Sequence, residues 1–155
     1  MTELEGSLDG SGLRIAIVCA RWNGFVTEKL LEGALRECRT LGVAETDVTV
    51  IRVPGSFEIP AAAKWAAEST RFEAVVALGA VIRGDTAHFE YVAGGAAEGI
   101  QRVALDTGVP CIFGVLTVDT VEQAMERAGG KEGHKGEEAA RTAIQMARLR
   151  ASLQP

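Results

Sequence analysis

Three short stretches of this sequence combine groups that could bind and convert a small polar molecule. The most informative is Ile82–His88, a turn with a glycine, a threonine and a histidine before a predicted helix. The free N–H groups and positive end of a helix suit an anion, and the Thr86 hydroxyl adds a hydrogen-bond donor. A neutral His88 could exchange protons near pH 7. The commoner alternative is that Thr86 only caps the helix, Gly84 only permits the turn and His88 is an exposed helix residue.

The other two stretches each offer one kind of contact. Pro54–Glu58 could present consecutive backbone N–H groups to ligand oxygens, or it could be a tight turn in which Ser56 caps the next helix. Trp22, in the loop Ala20–Gly24, could stack on a planar ring. The alternative for Trp22 is a core or rim hydrophobe, which is the role expected of Trp65 in its own helix. On the residues alone these alternatives stay open.

No known cofactor or metal motif is present. The glycine-rich stretch Gly129–Gly136 fails the phosphate-loop pattern, because no strand precedes it and Lys131 is followed by Glu132. It is more typical of a flexible connection between helices, with Lys135 as a possible ligand contact and Arg127 as a solvated helix residue. The three cysteines are far apart and only two histidines could join them, so no metal site is expected. Buried free thiols in a reducing cytoplasm are the simplest interpretation.

The elements that must position these stretches alternate between apolar strands and helices. The predicted strands are Leu13–Cys19, Val48–Val53, Ala74–Val81 and Cys111–Leu116. Three predicted helices cover about residues 26–41, 59–69 and 137–153. A fourth follows Thr86 and runs to 107, and a short fifth helix, capped by Thr120 and Gln123, ends near 128. This pattern predicts an α/β fold, a three-layer α/β/α sandwich with a parallel four-stranded sheet. The candidate loops then meet beyond the carboxyl ends of the strands, where such sheets bind ligands.

Composition excludes several classes of function. The chain has 155 residues with a formal net charge of −5, and no basic stripe that would bind nucleic acid. No apolar run approaches the roughly 20 residues that span a bilayer. Residues 1–12 are acidic and polar, unlike a signal peptide, and are expected to be an N-terminal extension to a single domain over 13–155. We therefore expect a cytoplasmic protein without membrane or nucleic-acid partners.

Four motifs, taken together and in their order along the chain, resemble those of one protein family, and the resemblance extends over about residues 13–149. They are Ala20–Asn23, Pro54–Pro60, Ile82–Val92 and Gln123–Gly129, and they closely resemble the 6,7-dimethyl-8-ribityllumazine synthase family. The resemblance implies a flavodoxin-like fold and the penultimate step of riboflavin synthesis. In that step 5-amino-6-(D-ribitylamino)uracil condenses with L-3,4-dihydroxy-2-butanone 4-phosphate, and phosphate and water are released. The family needs no metal or redox cofactor.

The resemblance also implies roles for individual residues. Trp22 would stack on the pyrimidine, and a neighbouring subunit's Phe113 would cover the other face. The ribityl chain would lie on Ser56, Phe57 and Glu58, and the pyrimidine edge on the backbone of Ala80, Val81 and Ile82. Asp85 and Thr86 would hold the phosphate with a neighbour's Arg127, His88 would transfer protons, and Lys135 would lie near the site.

Two residues depart from the common family pattern. Many members have Phe in place of Trp22, and many have Ala or Glu in place of Asp85. A carboxylate beside a phosphate is repulsive unless it faces Arg83 or Arg127, so we assign the contact of Asp85 to its backbone N–H.

The family assembles as homopentamers, some of which build icosahedral capsids. The glycine-rich stretch 128–136 looks like the uninserted version, which favours a capsid, with riboflavin synthase as a possible partner enzyme. Two other interpretations are a flavin-binding carrier and a shell protein without activity. The joint presence of His88, Arg127 and Thr86 disfavours the shell, because assembly alone needs neither proton nor phosphate chemistry.

Overall fold

The computed structural model describes residues 1–155 and contains a parallel sheet of four strands. These are β1 (Ile15–Ala20), β2 (Val48–Val53), β3 (Ala74–Ile82) and β4 (Cys111–Val118), in the order β2-β1-β3-β4. All three neighbouring pairs are parallel. The helices are α1 (Gly24–Thr40), α2 (Ile59–Glu68), α3 (His88–Thr107), α4 (Val121–Glu126) and α5 (Lys135–Leu153). Short 3-10 turns precede β2 at Glu45–Asp47 and α2 at Ser56–Glu58.

Helices cover both faces of the sheet, which explains why its central strands are apolar throughout. In β1, alternate residues Ile15, Ile17 and Cys19 pack into a core with α1, α4 and α5. The residues between them, Ala16, Val18 and Ala20, pack into a second core with α2 and α3. The predicted three-layer α/β/α sandwich with a parallel four-stranded sheet is confirmed.

The strands differ in how far they extend toward the carboxyl edge. β1 pairs with β3 only as far as Cys19 opposite Leu78, whereas β3 pairs with β4 as far as Ile82 opposite Val118. The last four residues of β3 therefore continue past the last residue pair between β3 and β1. This step in the sheet forms the floor of the site described below.

The structure corrects two predictions. The stretch after α4 is not a flexible connection, because β5 (Ala128–Gly130) and β6 (Gly133–His134) form a small antiparallel hairpin. Glycine is required there, since Gly129 and Gly133 have φ of 106° and 86°. Of the core or rim position expected for Trp65, the core is excluded, because the side chain is 72% exposed on α2. In addition, β4 continues two residues past the predicted end, to Val118.

The N-terminal segment lies across the outer face of α5. Residues 1–14 form no helix or strand, but Arg148 donates hydrogen bonds to the carbonyls of Asp9 and Ser11 at 2.7 and 2.6 Å. A Cβ on Gly6 would lie 1.8 Å from the carbonyl oxygen of Gln145, so the segment touches the helix directly. No helix in the chain is both long enough and apolar enough to cross a bilayer.

Candidate active site

A cavity of about 620 Å³ opens at the carboxyl ends of β1, β2 and β3. It is formed by the loop after β1, the turn after β2, the free end of β3 and the first two turns of α3. Its lining residues are Trp22, Asn23, Pro54, Gly55, Ser56, Phe57, Glu58, Ala80, Val81, Ile82, Gly84, Thr86, His88, Phe89, Tyr91 and Val92. This is the edge at which parallel sheets bind ligands, as the sequence predicted.

Most of the predicted site residues share this one cavity. They come from three separate segments of the chain: Trp22, Ser56, Phe57, Glu58, Ala80, Val81, Ile82, Thr86 and His88. Four predicted residues do not line it: Asp85, Phe113, Arg127 and Lys135. Asp85 is in the loop beside it, and the other three are on more distant parts of the chain.

The floor of the cavity is the free edge of β3, and Asn23 is anchored to it. The Asn23 side chain donates to the carbonyl of Ala80 at 2.8 Å. The Ala80 carbonyl therefore points toward the side of β3 on which β1 lies. Because the peptide groups of every second strand residue point to the same side, the N–H and C=O of Ile82 also point there. The N–H of Arg83 points to the other side, where it donates to Val118. The peptide edge of β3 is thus directed at the cavity beyond the end of β1.

The turn after β2 packs tightly onto this floor. Ser56 is buried, and a Cβ on Gly79 of β3 would lie 2.4 Å from its hydroxyl oxygen. The Ser56 side chain makes no cap on α2, so capping does not account for a serine at this position. Glu58 follows in the same turn, with its carboxylate exposed at the cavity.

Exposed aromatic rings form the walls of the cavity. Trp22, Phe57 and Tyr91 are 73%, 60% and 75% exposed, respectively. The interpretation of Trp22 as a core residue is therefore wrong. A Cβ on Gly95 would lie 2.7 Å from the Phe57 ring, so α3 supports this ring from behind. Such rings offer flat apolar surfaces on which a heterocycle could stack.

The loop that leads into α3 presents several backbone N–H groups without partners. The amides of Gly84, Asp85, Thr86, Ala87 and Phe89 make no hydrogen bond within the chain. Thr86 does not cap α3, which has no side-chain cap; its hydroxyl accepts only a long bond, of 3.4 Å, from the His88 N–H. Free amides at the positive end of a 20-residue helix favour a bound anion.

Arg83 holds this loop to its surroundings. Its guanidinium donates to Asp119 after β4 at 2.8 Å and to Glu90 in α3 at 2.5 Å, and it lies 4.3 Å from the centre of the Phe89 ring. The hydrogen bonds to Asp119 and Glu90 raise the pKa of Arg83, and the bond from Arg83 lowers the pKa of Glu90. Arg83 therefore does not neutralise Asp85.

The remaining predicted residues lie on other surfaces. Phe113 is part of a smaller hollow of about 390 Å³ on β4, next to Arg83 and Asp119. Arg127 ends α4, where it donates to the Gln123 carbonyl at 3.0 Å and pairs with Glu126 at 3.6 Å. Lys135 is exposed at the start of α5. As a result, no lysine or arginine lines the main cavity of a single chain.

Sequence reasoning missed several lining residues, above all Asn23, Phe89, Tyr91 and Val92. Asn23 carries a signal that could have been used. It has φ of 61°, a region that asparagine tolerates better than most residues, and it lies between Trp22 and Gly24 in a loop at a strand end. The others follow His88 within two helical turns. Phe89 and Val92 fit the apolar stripe of the helix and indicated a core role, whereas Tyr91, which lies outside that stripe, is exposed.

A comparison with known protein families gives one match. The family model described as 6,7-dimethyl-8-ribityllumazine synthase matches residues 12–151, which is nearly the whole chain. The matched segment contains every element of the sheet and every residue of the cavity.

Proposed function

This chain belongs to the 6,7-dimethyl-8-ribityllumazine synthase family, the transferases that make lumazine in riboflavin biosynthesis, and we propose how its own residues carry out that reaction. The substrates are 5-amino-6-(D-ribitylamino)uracil and L-3,4-dihydroxy-2-butanone 4-phosphate, and phosphate and water are released. The observation that carries this proposal is the single cavity that joins aromatic walls, a peptide edge, free helix-terminal amides and His88.

The aromatic end of the cavity takes the pyrimidine substrate. Its ring stacks on Trp22, and its polar edge meets the backbone of Ala80, Val81 and Ile82 along the free end of β3. The ribityl chain lies along Ser56, Phe57 and Glu58, with the Glu58 carboxylate accepting hydrogen bonds from its hydroxyls. The direction of the peptide groups of Ala80 and Ile82 supports this orientation, since they point to the β1 side of β3 beyond the last residue pair between the two strands.

The helix end of the cavity takes the butanone phosphate. Thr86 and the backbone N–H of Asp85 donate to the phosphate, and a neighbouring subunit contributes Arg127. The lack of any side-chain cation in the cavity of one chain supports this sharing, because a departing phosphate needs charge stabilisation beyond free amides. Phe113 and Lys135 reach the site in the same way, from outside the subunit.

His88 transfers the protons that the reaction requires. An amine of the pyrimidine attacks the ketone and water leaves as the imine forms. Loss of the proton next to the imine then expels the phosphate and leaves an enol, which takes up a proton to become a second ketone. The ribityl-bearing amine attacks this ketone, and a second water leaves as the ring closes. His88 is the only histidine at the cavity, and it begins α3 next to the phosphate-binding amides. Holding both reactants in place accounts for much of the acceleration, since effective molarities reach ~10⁵ M or more.

The assembly that completes the site is a homopentamer, and we propose that pentamers build an icosahedral capsid that could enclose riboflavin synthase. The short hairpin formed by β5 and β6, without an insertion, supports this form. Three buried, unpaired cysteines suit the reducing cytoplasm as the location of the protein.

The test is to mix the protein with both substrates and follow lumazine absorbance together with phosphate release. We expect coupled appearance of both products, slowed about 100-fold or more in His88→Ala. Lys64→Ala on α2, whose side chain pairs only with Glu68 away from the cavity, is the matched control and should react like the wild type. Turnover no faster than the spontaneous condensation, or His88→Ala equal to Lys64→Ala, would contradict the proposal.

A further inference from the structure

His134 occupies a structural position that the proposed reaction does not explain. It is the N-cap of α5, and its ring Nδ1 accepts a hydrogen bond from the N–H of Glu137 at 3.3 Å. An imidazole can accept at Nδ1 only when the proton of the neutral ring is on Nε2. The side chain thus satisfies one of the amides that the start of a helix leaves without a partner.

The ring is also wedged between two other elements. A Cβ on Gly33 of α1 would lie 1.9 Å from its Cε1 atom and 2.3 Å from Nε2, so only a glycine in α1 leaves room for it. On another side, a Cβ on Gly129 of β5 would lie 3.3 Å from its Cδ2 atom. The position of the ring is therefore set jointly by α1, α5 and the hairpin.

The backbone at His134 connects this wedge to Arg127. His134 pairs with Ala128 in the hairpin, and the N–H of Lys135 donates to the carbonyl of Arg127 at 2.8 Å. This hydrogen bond joins the two ends of the hairpin, and its donor, Lys135, is the residue directly after His134. The Arg127 side chain is 39% exposed, so it is accessible to a molecule outside its own chain.

We infer that His134 is a positioning residue for Arg127: its ring fixes the hairpin against α1 and α5, and so sets where the guanidinium points. The inference rests on the proposed role of Arg127 in binding the phosphate-bearing substrate of a neighbouring subunit. It assigns no contact between His134 and either substrate.

Two substitutions separate the hydrogen bond from the bulk of the ring. His134→Asn keeps a strong N-cap acceptor with less bulk, and His134→Leu keeps similar bulk without an acceptor. We expect His134→Leu to raise KM for the butanone phosphate about fivefold to tenfold, which corresponds to the free energy of one lost helix cap. The values of kcat and of KM for the pyrimidine should stay within about twofold of the wild type. His134→Asn should restore KM to near the wild-type value.

A double-mutant cycle with Arg127→Ala tests whether His134 acts through the arginine. If it does, His134→Leu adds little to KM once Arg127 is gone. Multiplying effects, or a His134→Asn variant as impaired as His134→Leu, would overturn the inference.

Amide hydrogen exchange tests the geometry independently of activity. Exchange at Glu137 and Lys135 should accelerate in His134→Leu and not in His134→Asn; equal exchange in both would also overturn the inference. If Arg127→Ala alone leaves KM unchanged, the proposed role of Arg127 fails, whereas the exchange result still reports on the cap itself.

Discussion

Arg83 forms the ion pairs that hold the loop and the helix start next to the cavity in place. It joins the end of β3 to Asp119 and to Glu90 in α3, on either side of the loop that carries Thr86 and His88. Its hydrogen bond lowers the pKa of Glu90, so the folded state holds this carboxylate charged at a pH where the unfolded chain begins to protonate it. The pair therefore stabilises the fold at neutral pH and is lost as the pH falls below about 4.3, the ordinary pKa of glutamate.

Replacing the guanidinium should reverse that shift. In Arg83→Gln we expect the pKa of Glu90 to rise back toward its ordinary value, because the largest cause of the lowering is the bond from Arg83. A carbon-detected NMR titration of the glutamate carboxyls measures it. The Glu137 carboxylate, whose pKa is lowered by its hydrogen bond with Arg36, is the internal control and should not move. An unchanged Glu90 titration would show that another group sets its pKa.

Gly79 should be intolerant of even one added carbon. Its ideal Cβ would fall 2.4 Å from the Ser56 hydroxyl and 3.2 Å from Ile59, both in the turn that forms one side of the cavity. We expect Gly79→Ala to lower the free energy of unfolding by about 1–3 kcal/mol through overpacking. Gly84→Ala is the matched control, since nothing lies within 4 Å of its Cβ and its φ is not in the left-handed region. Urea unfolding of both variants decides the comparison, and equal midpoints would contradict it.

At the scale of elements, apolar runs and glycine or proline boundaries predicted the sheet well. β2 begins and ends at the predicted residues, and the capping box of Thr120 and Gln123 is present at the start of α4. These features could be predicted because they depend on neighbours within a few residues. The cavity followed from the same pattern, since parallel strands bring their following loops to one edge.

What could not be predicted depends on contacts between distant segments. The bond from Asn23 reaches Ala80, 57 residues away, and depends on β3 extending past β1. The hairpin formed by β5 and β6 depends on bonds between the end of α4 and the start of α5, for which composition indicated only a glycine-rich loop. The exposure of Trp65 likewise follows from which face of α2 meets the sheet, and in a helix rich in alanine that face is weakly encoded.

The capping box is the element-scale feature that fixes the start of α4, the helix that Arg127 follows directly. The Thr120 hydroxyl accepts from the Gln123 N–H at 3.1 Å, and the Gln123 side chain accepts from the N–H groups of Asp119 and Thr120. A six-residue helix has little other support of its own. We expect Thr120→Ala to cost about 1 kcal/mol in the free energy of unfolding and Thr120→Ser to recover most of it. Equal unfolding midpoints for the two variants would exclude the hydroxyl as the stabilising group.

At the scale of the whole molecule, one chain leaves its site unfinished. Large aromatic side chains around the cavity stay exposed, and the cavity contains no side-chain cation although free amides at its helix end suit an anion. Neither Arg127 nor Phe113 of the same chain lines this cavity, and Phe113 lines a separate hollow. The homopentamer that we propose would complete this site, because in a closed ring each chain would contribute one surface to the cavity of the next.

Co-assembling two impaired variants tests that sharing. His88→Ala removes a group from the cavity itself, and Arg127→Ala removes the group that we assign to the neighbour. In co-assembled rings at equal ratio, about a quarter of the sites combine an intact His88 with an intact Arg127, because a closed ring pairs each cavity with one adjacent chain. We therefore expect each variant alone to be impaired and the co-expressed mixture to recover about a quarter of the wild-type turnover. A mixture prepared after assembly, without exchange of subunits, is the control and should recover nothing. If both groups instead acted within one chain, no subunit of the mixture would hold both, and the co-expressed sample would stay as slow as its parents.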